Sequence, residues 1–418
     1  MRLARLELKD VGPFEDAVFE IPEPKGPGEL VLFEGPNGSG KTTIVQAIAC
    51  AAEPTGHGAG SVLHAPLGEL LRRRSGDDAR IAVEVEAGGE RLRFDFPSSY
   101  PDWIPSTYRS NGPVDKLRAY QVAASAGASL EWGAFAFRSH LGTPTVASEG
   151  PSDIKVSPLL GALSFGKVER ANSYFGQFLT NVEFDRIKAA LYAQEVEPSD
   201  EHDKMAGIAE ARRDSLRRFE TVLSRVLDRS VRIQFPFGQH SPDIPIDGEK
   251  VPIDLLGEGL RSTIAWLADL MVRLERVPWA DTTRSPLEQD FWLILDEIDE
   301  SLHPTMQARI LPAVRELFPN ARIYATTHSP FVVASVGEGT IFPIRPDKDH
   351  KVRGKVEARA LQYGQSLELV TADIFQAPSG FVDQRTQDDL EAHDRDVQAL
   401  QRKKEIDASS TPSRPPPR

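Results

Sequence analysis

The feature that most constrains this chain is Glu29-Leu30-Val31-Leu32-Phe33-Glu34-Gly35-Pro36-Asn37-Gly38-Ser39-Gly40-Lys41-Thr42-Thr43. An apolar strand runs into a glycine-rich loop, and Ile44, Ala47, Ile48 and Ala51 then recur at helical spacing. Gly35, four residues, then Gly40-Lys41-Thr42 is the phosphate-binding loop pattern, here in its strand-to-helix context. Glycines let such a loop curl so that backbone N–H groups from Gly35 to Thr43 point inward at phosphate oxygens. The helix behind the loop offers its positive end to the same anion. Lys41 is expected to reach the β- and γ-phosphates, and the Thr42 hydroxyl to take a place on Mg²⁺.

Downstream, Phe291-Trp292-Leu293-Ile294-Leu295-Asp296-Glu297 reads as a buried strand tipped by two acids. With a phosphate loop upstream, Asp296 is the candidate Mg²⁺ holder, through water. Glu297 is the candidate base that polarises the water attacking the γ-phosphate. A third strand, Arg322-Ile323-Tyr324-Ala325-Thr326-Thr327, ends at His328-Ser329-Pro330 and makes His328 a candidate γ-phosphate sensor. Between loop and acids lies Leu255-Leu256-Gly257-Glu258-Gly259-Leu260-Arg261, a turn opening a helix whose face is Leu260, Ile264, Leu267, Met271 and Leu274.

Around these pieces the chain reads as two hairpins and a weaker middle. Residues 3–8 and 17–21 alternate about Gly12-Pro13. Residues 81–96 alternate about Gly88-Gly89, with Val83 and Val85 on one arm and Leu92, Phe94 and Phe96 on the other. Residues 203–227 have helical period, and Val231, Ile233 and Phe235 alternate. Pro304 starts a helix that Pro312 should kink. Residues 341–345 and 353–358 are expected to add strands to the sheet. From about Asp383 the chain is charged and helical in character, ending in a Pro/Ser-rich stretch expected to be disordered. The expected domains are 1–97, the first half of an ATPase head; 98–250, a helical insert lobe; 251–375, the second half; and 376–418, the tail.

Composition excludes several classes. The 418 residues hold 40% hydrophobic and 27% charged residues, as in soluble globular proteins. No apolar run reaches the roughly 18 residues of a bilayer span, and Met1–Glu7 lacks a signal-type core. Cys50 is the only cysteine, expected as a small buried apolar residue, so no internal disulfide or cysteine zinc site forms. A reduced, cytoplasmic setting follows. A net charge of −13 argues against coating nucleic acid by charge alone. Arg72-Arg73-Arg74 and the Arg212, Arg213, Arg217, Arg218 group are candidate basic tracks, with solvated faces the favoured reading.

As an ordered set, Gly35–Thr42, Leu256–Arg261, Leu293–Glu297, Leu302-His303-Pro304 and Thr326–Pro330 resemble the ATPase head of ABC, SMC and RecF-like proteins, most nearly the compact bacterial AAA-family or OLD-like ATPases. Arg5-Leu6-Glu7-Leu8 with Gly12-Pro13-Phe14 is similar to that group's opening hairpin. The resemblance spans about residues 1–345. It implies an α/β P-loop NTPase of the ABC/RecF-like head type: a mixed sheet, an added antiparallel β-layer and a helical lobe. It assigns Walker A to Gly35–Thr42, Walker B to Asp296 and Glu297, the signature loop to Leu256–Arg261, and the switch histidine to His328. It implies ATP and Mg²⁺ as cofactors, and a homodimer sandwiching two ATP molecules, with Gly257 and Gly259 of one copy on the γ-phosphate held by the other. Action on DNA in repair or phage defence, with a separately encoded effector, follows from the same likeness. Gly257 stands where the family usually has serine. No glutamine follows the strand near Trp132–Arg138, where Ser139-His140 stands. The roughly 75 residues after the head are too few for a Toprim nuclease domain. The alternative is a nucleotide-gated scaffold controlling a separate effector with little turnover. A transporter subunit and a small-molecule kinase account for fewer of the motifs.

Overall fold

The computed structural model describes residues 1–52, 79–87, 89–97, 129–138, 200–233, 243–362 and 366–375, with 178–179, 182 and 184–190 between them. Arg72-Arg73-Arg74, Gly88, Phe235 and the tail from Asp383 lie outside these residues, as do the side chains of Cys50, Leu92, Phe94 and Phe96. The chain divides into a unit Met1–Leu367 and a unit Glu368–Arg418, whose described part holds a π-helical turn, Val370–Ile374.

Two sheets organise the first unit, beside a two-stranded hairpin of β7 (Asp243–Ile246) and β8 (Glu249–Pro252). The central one has the order β13 (Arg359–Gln362), β11 (Glu338–Pro343), β3 (Glu29–Glu34), β10 (Arg322–Thr327), β9 (Phe291–Asp296), β6 (Gly133–Arg138). All neighbours are parallel except β13, which runs antiparallel to β11. Both faces are covered, which is why β9 reads as an unbroken apolar run.

The second sheet is the antiparallel layer: β12 (Val352–Val356), β2 (Phe14–Glu20), β1 (Arg2–Val11), β4 (Arg80–Ala87), β5 (Glu90–Pro97). Here burial alternates from Ala4 to Lys9 of β1 and from Ala17 to Glu20 of β2, while Leu3 with Ala4 and Ile81 with Ala82 are buried side by side. Leu6 and Leu8 of β1, Phe19 of β2, and Val83 and Val85 of β4 are fully buried. The outer positions carry cross-strand ion pairs such as Arg93 with Glu7 and Glu84, at 2.6 and 2.8 Å. The two sheets share one core. Phe19 sits edge-on to Phe33 of β3 and Phe342 of β11, at 5.9 and 5.5 Å between ring centroids. Of the strands expected after His328, β11 joins the central sheet, but β12 joins the outer layer, parallel to β2.

Helices α1 (Lys41–Ala52), α2 (Asp200–Leu227), α3 (Glu258–Arg276) and α4 (Pro304–Leu317) have the phases expected from their periodicity. Leu260, Ile264, Leu267, Met271 and Leu274 of α3 are all buried. Trp266 of α3 lies 6.0 Å from Phe137 of β6, and Phe318, just past α4, lies 5.5 Å from Phe291 of β9. These contacts close the face of the central sheet opposite the β-layer. Within the stretch 98–250, expected as a helical insert lobe, residues 133–138 instead form β6, the edge strand of the central sheet beside β9.

Candidate active site

The active groups gather at the carboxyl ends of three adjacent parallel strands. Ligands in open parallel sheets bind beyond that edge. The phosphate loop follows β3, Asp296 and Glu297 end β9, and His328 ends β10, which lies between them.

The loop is built for an anion. Gly38 and Gly40 take φ of +81° and +94°, the left-handed region that glycine occupies without penalty. Pro36, Asn37 and Gly38 are exposed, while Ser39 is fully buried and its Oγ has no hydrogen-bond partner in the structure. The turn between β1 and β2 supports the loop from behind. A methyl group at Gly12 would lie 3.3 Å from Thr43 Oγ1, and one at Gly40 would lie 2.5 Å from Pro13 Cγ. The Gly12-Pro13-Phe14 corner is thus the floor of the phosphate loop.

Lys41 Nζ donates to the carbonyls of Gly35 and Pro36, at 2.9 and 3.2 Å, and lies 3.3 Å from His328 Nδ1. An ammonium only donates, so Nδ1 is the acceptor, and the imidazole proton of a neutral ring sits on Nε2. Nε2 faces Glu297 Oε1 at 3.6 Å. Lys41, His328 and Glu297 therefore form one line of contacts. Burial lowers the Lys41 ammonium below its ordinary range, against the pull of Glu297, Asp296, Glu34 and Asp299. Burial raises the Glu297 carboxyl, and Asp296 and Glu300 add to it, while His328 and Lys41 oppose.

Thr42 Oγ1 donates to Asp296 Oδ1 at 3.2 Å. A hydroxyl and a nearly buried carboxylate at the start of α1 make a hard oxygen donor pair, the type Mg²⁺ takes. Those residues, together with the orphaned Ser39 hydroxyl, fit a magnesium–nucleotide complex.

Three groups outside the sequence reading complete the cluster. The Thr326 hydroxyl donates to Asp296 Oδ1 at 2.8 Å and accepts the Glu297 N–H at 2.6 Å. The Asp299 carboxylate accepts the His328 backbone N–H at 3.2 and 3.3 Å. Gln307 of α4 donates to the carbonyls of Asp299 and Leu302, and its Oε1 accepts from the Ser329 hydroxyl at 2.6 Å. Thr326 and Asp299 lie within three residues of the histidine or the acid pair, their one signal in the sequence; Gln307 is brought in only by α4.

The glycine turn opens α3. Gly257 is its N-cap, without a side-chain cap, and both Gly257 and Glu258 are exposed. The turn therefore brings backbone N–H donors to a helix start. Gly259 is required by space: a methyl there would lie 2.4 Å from the Ser301 carbonyl oxygen. At Gly257 a methyl would meet nothing within 4 Å.

The arginine group on α2 forms no open basic track. Arg212 pairs with Asp185 at 2.5 Å and Glu275 at 3.7 Å, Arg217 with Glu210 at 2.8 Å, and Arg218 with Asp214 at 2.8 Å and Glu288 at 3.1 Å. Arg213 lies 3.8 Å from Glu210. Among the described residues, no helix is long and apolar enough to cross a membrane.

Comparison with known proteins follows the same division of motifs. A family model described as "AAA domain" matches residues 5–61, which contain the phosphate loop. A second, described as "AAA domain, putative AbiEii toxin, Type IV TA system", matches residues 167–334, which contain the glycine turn, the acid pair and His328. The "Retron Ec83 probable ATPase" of Escherichia coli is 29% identical over 131 residues, 30% of this chain and 24% of that protein. The "Septu protein PtuA" of Bacillus thuringiensis is 27% identical over 156 residues, 36% of this chain and 38% of that protein. The matches thus span about a quarter to two-fifths of these relatives' own length. Among solved structures, an Smc head domain bound to the C-terminal domain of ScpA, from Pyrococcus furiosus, aligns with a TM-score of 0.42 at 14% identity, covering 86% of this chain and 96% of that one.

Proposed function

We propose that the chain is a compact P-loop ATPase of the ABC/SMC/RecF type that binds ATP with Mg²⁺ and hydrolyses it, a reading supported by the AAA-domain models matching residues 5–61 and 167–334 and by a relative named a probable ATPase. The observation that carries this reading is the convergence of Lys41, Thr42, Asp296, Glu297 and His328 at one sheet edge, each in contact with another of the set. Backbone amides of Gly35–Thr43 and the Lys41 ammonium hold the phosphates. Thr42 and Asp296 would hold the metal. Bound Mg²⁺ would neutralise phosphate charge and orient the phosphoryl oxygens. Glu297 orients and deprotonates the attacking water. His328, whose Nε2 faces that carboxylate, would sense the γ-phosphate.

Two copies sandwich two nucleotides in this reading. The exposed Gly257-Glu258 turn at the start of α3, which has no side-chain cap, supports it, since a helix start offers N–H donors to an anion held by another copy. ATP binding then closes a dimer and hydrolysis opens it. The site residues, the domain boundaries, the homodimer and a cytoplasmic setting are all part of the proposal. The output is action on DNA or on a separately encoded effector, in repair or phage defence, which relatives bearing retron and Septu names support.

The test is steady-state ATP hydrolysis, with and without linear double-stranded DNA, with Glu297→Gln as the blank. Turnover that Glu297→Gln abolishes is expected. Turnover intact in that variant removes Glu297 as the base. Stable ATP-bound assemblies with negligible wild-type hydrolysis favour the nucleotide-gated scaffold, a reading that Gly257 in the serine position motivates.

A further inference from the structure

We propose that Thr326 is the positioning residue of the hydrolytic centre: its hydroxyl sets the backbone from which Glu297 presents its carboxylate. This rests on the reading of Glu297 as the base. The observation is geometric. Glu297 has φ of +53°, left-handed backbone that a side-chain-bearing residue adopts only under strain. Something must hold it there.

Thr326 does so from the neighbouring strand, with two of its groups. Its hydroxyl accepts the Glu297 N–H at 2.6 Å, and its carbonyl accepts the Ile298 N–H at 3.2 Å. The first two N–H groups of the turn after β9 are therefore tied to one residue of β10. The same hydroxyl spends its single proton on Asp296 Oδ1, at 2.8 Å. One oxygen thus fixes the metal-side carboxylate and the water-side backbone together. Thr326 is fully buried, so water cannot replace it in either contact.

The hydroxyl is needed in both roles at once. A donor-only group would leave the Glu297 N–H unmet, and an acceptor-only group would face Asp296 with repulsion. Only a hydroxyl side chain of this reach does both. Valine has the same branched shape and strand preference as threonine, yet supplies neither contact. Once the turn relaxes, the Glu297 carboxylate leaves its place opposite His328 Nε2. The groups that bind phosphate on β3 and α1 keep their own contacts. Hydrolysis and binding therefore part company at this residue, which a purely structural threonine would not produce.

The experiment compares wild type, Thr326→Val, Thr326→Ser and Glu297→Gln in the full chain. ATP turnover and the affinity for a fluorescent, slowly hydrolysed ATP analogue are measured in Mg²⁺. For Thr326→Val, kcat is expected to fall on the order of ten- to hundredfold, the loss of a hydrogen bond to charged or strained partners. Nucleotide affinity is expected to stay within about threefold of wild type. Thr326→Ser, which keeps the hydroxyl, is expected to recover turnover to within a few-fold. Wild-type turnover in Thr326→Val beside an inactive Glu297→Gln overturns the proposal alone. A parallel loss of turnover and affinity, unrelieved in Thr326→Ser, also overturns it, because it marks a structural role. Wild-type turnover in Glu297→Gln overturns the assignment of the base, and the positioning role with it.

Discussion

Two glycines of the phosphate loop share a backbone conformation and differ in their surroundings, so alanine should separate them. Gly38 and Gly40 both have left-handed φ, +81° and +94°. An alanine at either position carries the left-handed penalty of about 1–2 kcal/mol. At Gly38 nothing lies within 4 Å of the added methyl, and the cost ends there. At Gly40 the methyl would meet Pro13 Cγ at 2.5 Å, Phe14 Cε2 at 2.6 Å and Phe14 Cζ at 2.8 Å. Phe14 cannot yield, being fully buried and packed edge-on against Phe19 at 5.9 Å. Overpacking of this kind adds about 1–3 kcal/mol, giving a total near 2–5 kcal/mol for Gly40→Ala. Because the Gly12–Phe14 corner belongs to the β-layer, the clash should also push the loop off its floor. Urea unfolding and titration with a fluorescent ATP analogue read the two effects. Gly38→Ala is expected to lose about 1–2 kcal/mol and keep its affinity within about threefold, while Gly40→Ala loses more stability and at least about tenfold in affinity. Equal losses for the two variants would refute the idea that the β-layer corner shapes the loop.

Other outcomes follow from the same geometry. Turnover should fall as pH drops through the Glu297 titration, above the ordinary carboxylate range, because burial and Asp296 raise that group and only its ionised form accepts a proton. Glu300→Gln removes one like charge and should move this acid limb of the pH–rate profile to lower pH. Gly257→Ser meets open space and adds a capping hydroxyl, so it should fold normally, gain a few tenths of a kcal/mol, and tighten ATP-dependent assembly measured by light scattering. Tyr324→Phe leaves the Leu3 N–H and the buried Glu29 carboxyl without the phenol that meets them at 3.3 and 3.1 Å, and should cost about 1–3 kcal/mol in urea unfolding. Arg217→Ala breaks exposed pairs only. Its stability should change by less than about 1 kcal/mol, and any stimulation of turnover by linear DNA should keep its salt dependence.

Much of the site was legible because its parts are local. A glycine-rich turn between strand and helix, and an apolar run ending in Asp296-Glu297, each encode their conformation in a dozen residues. The steric demands of backbone and core act over that range. Helix phases were legible for the same reason: α3 shows its buried face as a 3.6-residue period. What lay beyond the sequence were facts about neighbours. Strand order is set by how the sheet closes its core, and no local pattern states that β10 lies between β3 and β9. That one placement brings His328 between Lys41 and Glu297, and puts the Thr326 hydroxyl against the Asp296-Glu297 turn. Thr326 reads in sequence as an ordinary buried strand residue. The arginines of α2 read as a basic run, and only folding brings Asp185 and Glu275 to Arg212 and Glu288 to Arg218. The alternation of β12 fits either sheet, and its partner was decided by pairing with β2. The chain's local chemistry determined which groups could handle a nucleotide. Long-range strand pairing, driven by burial of both sheet faces, decided which of them meet.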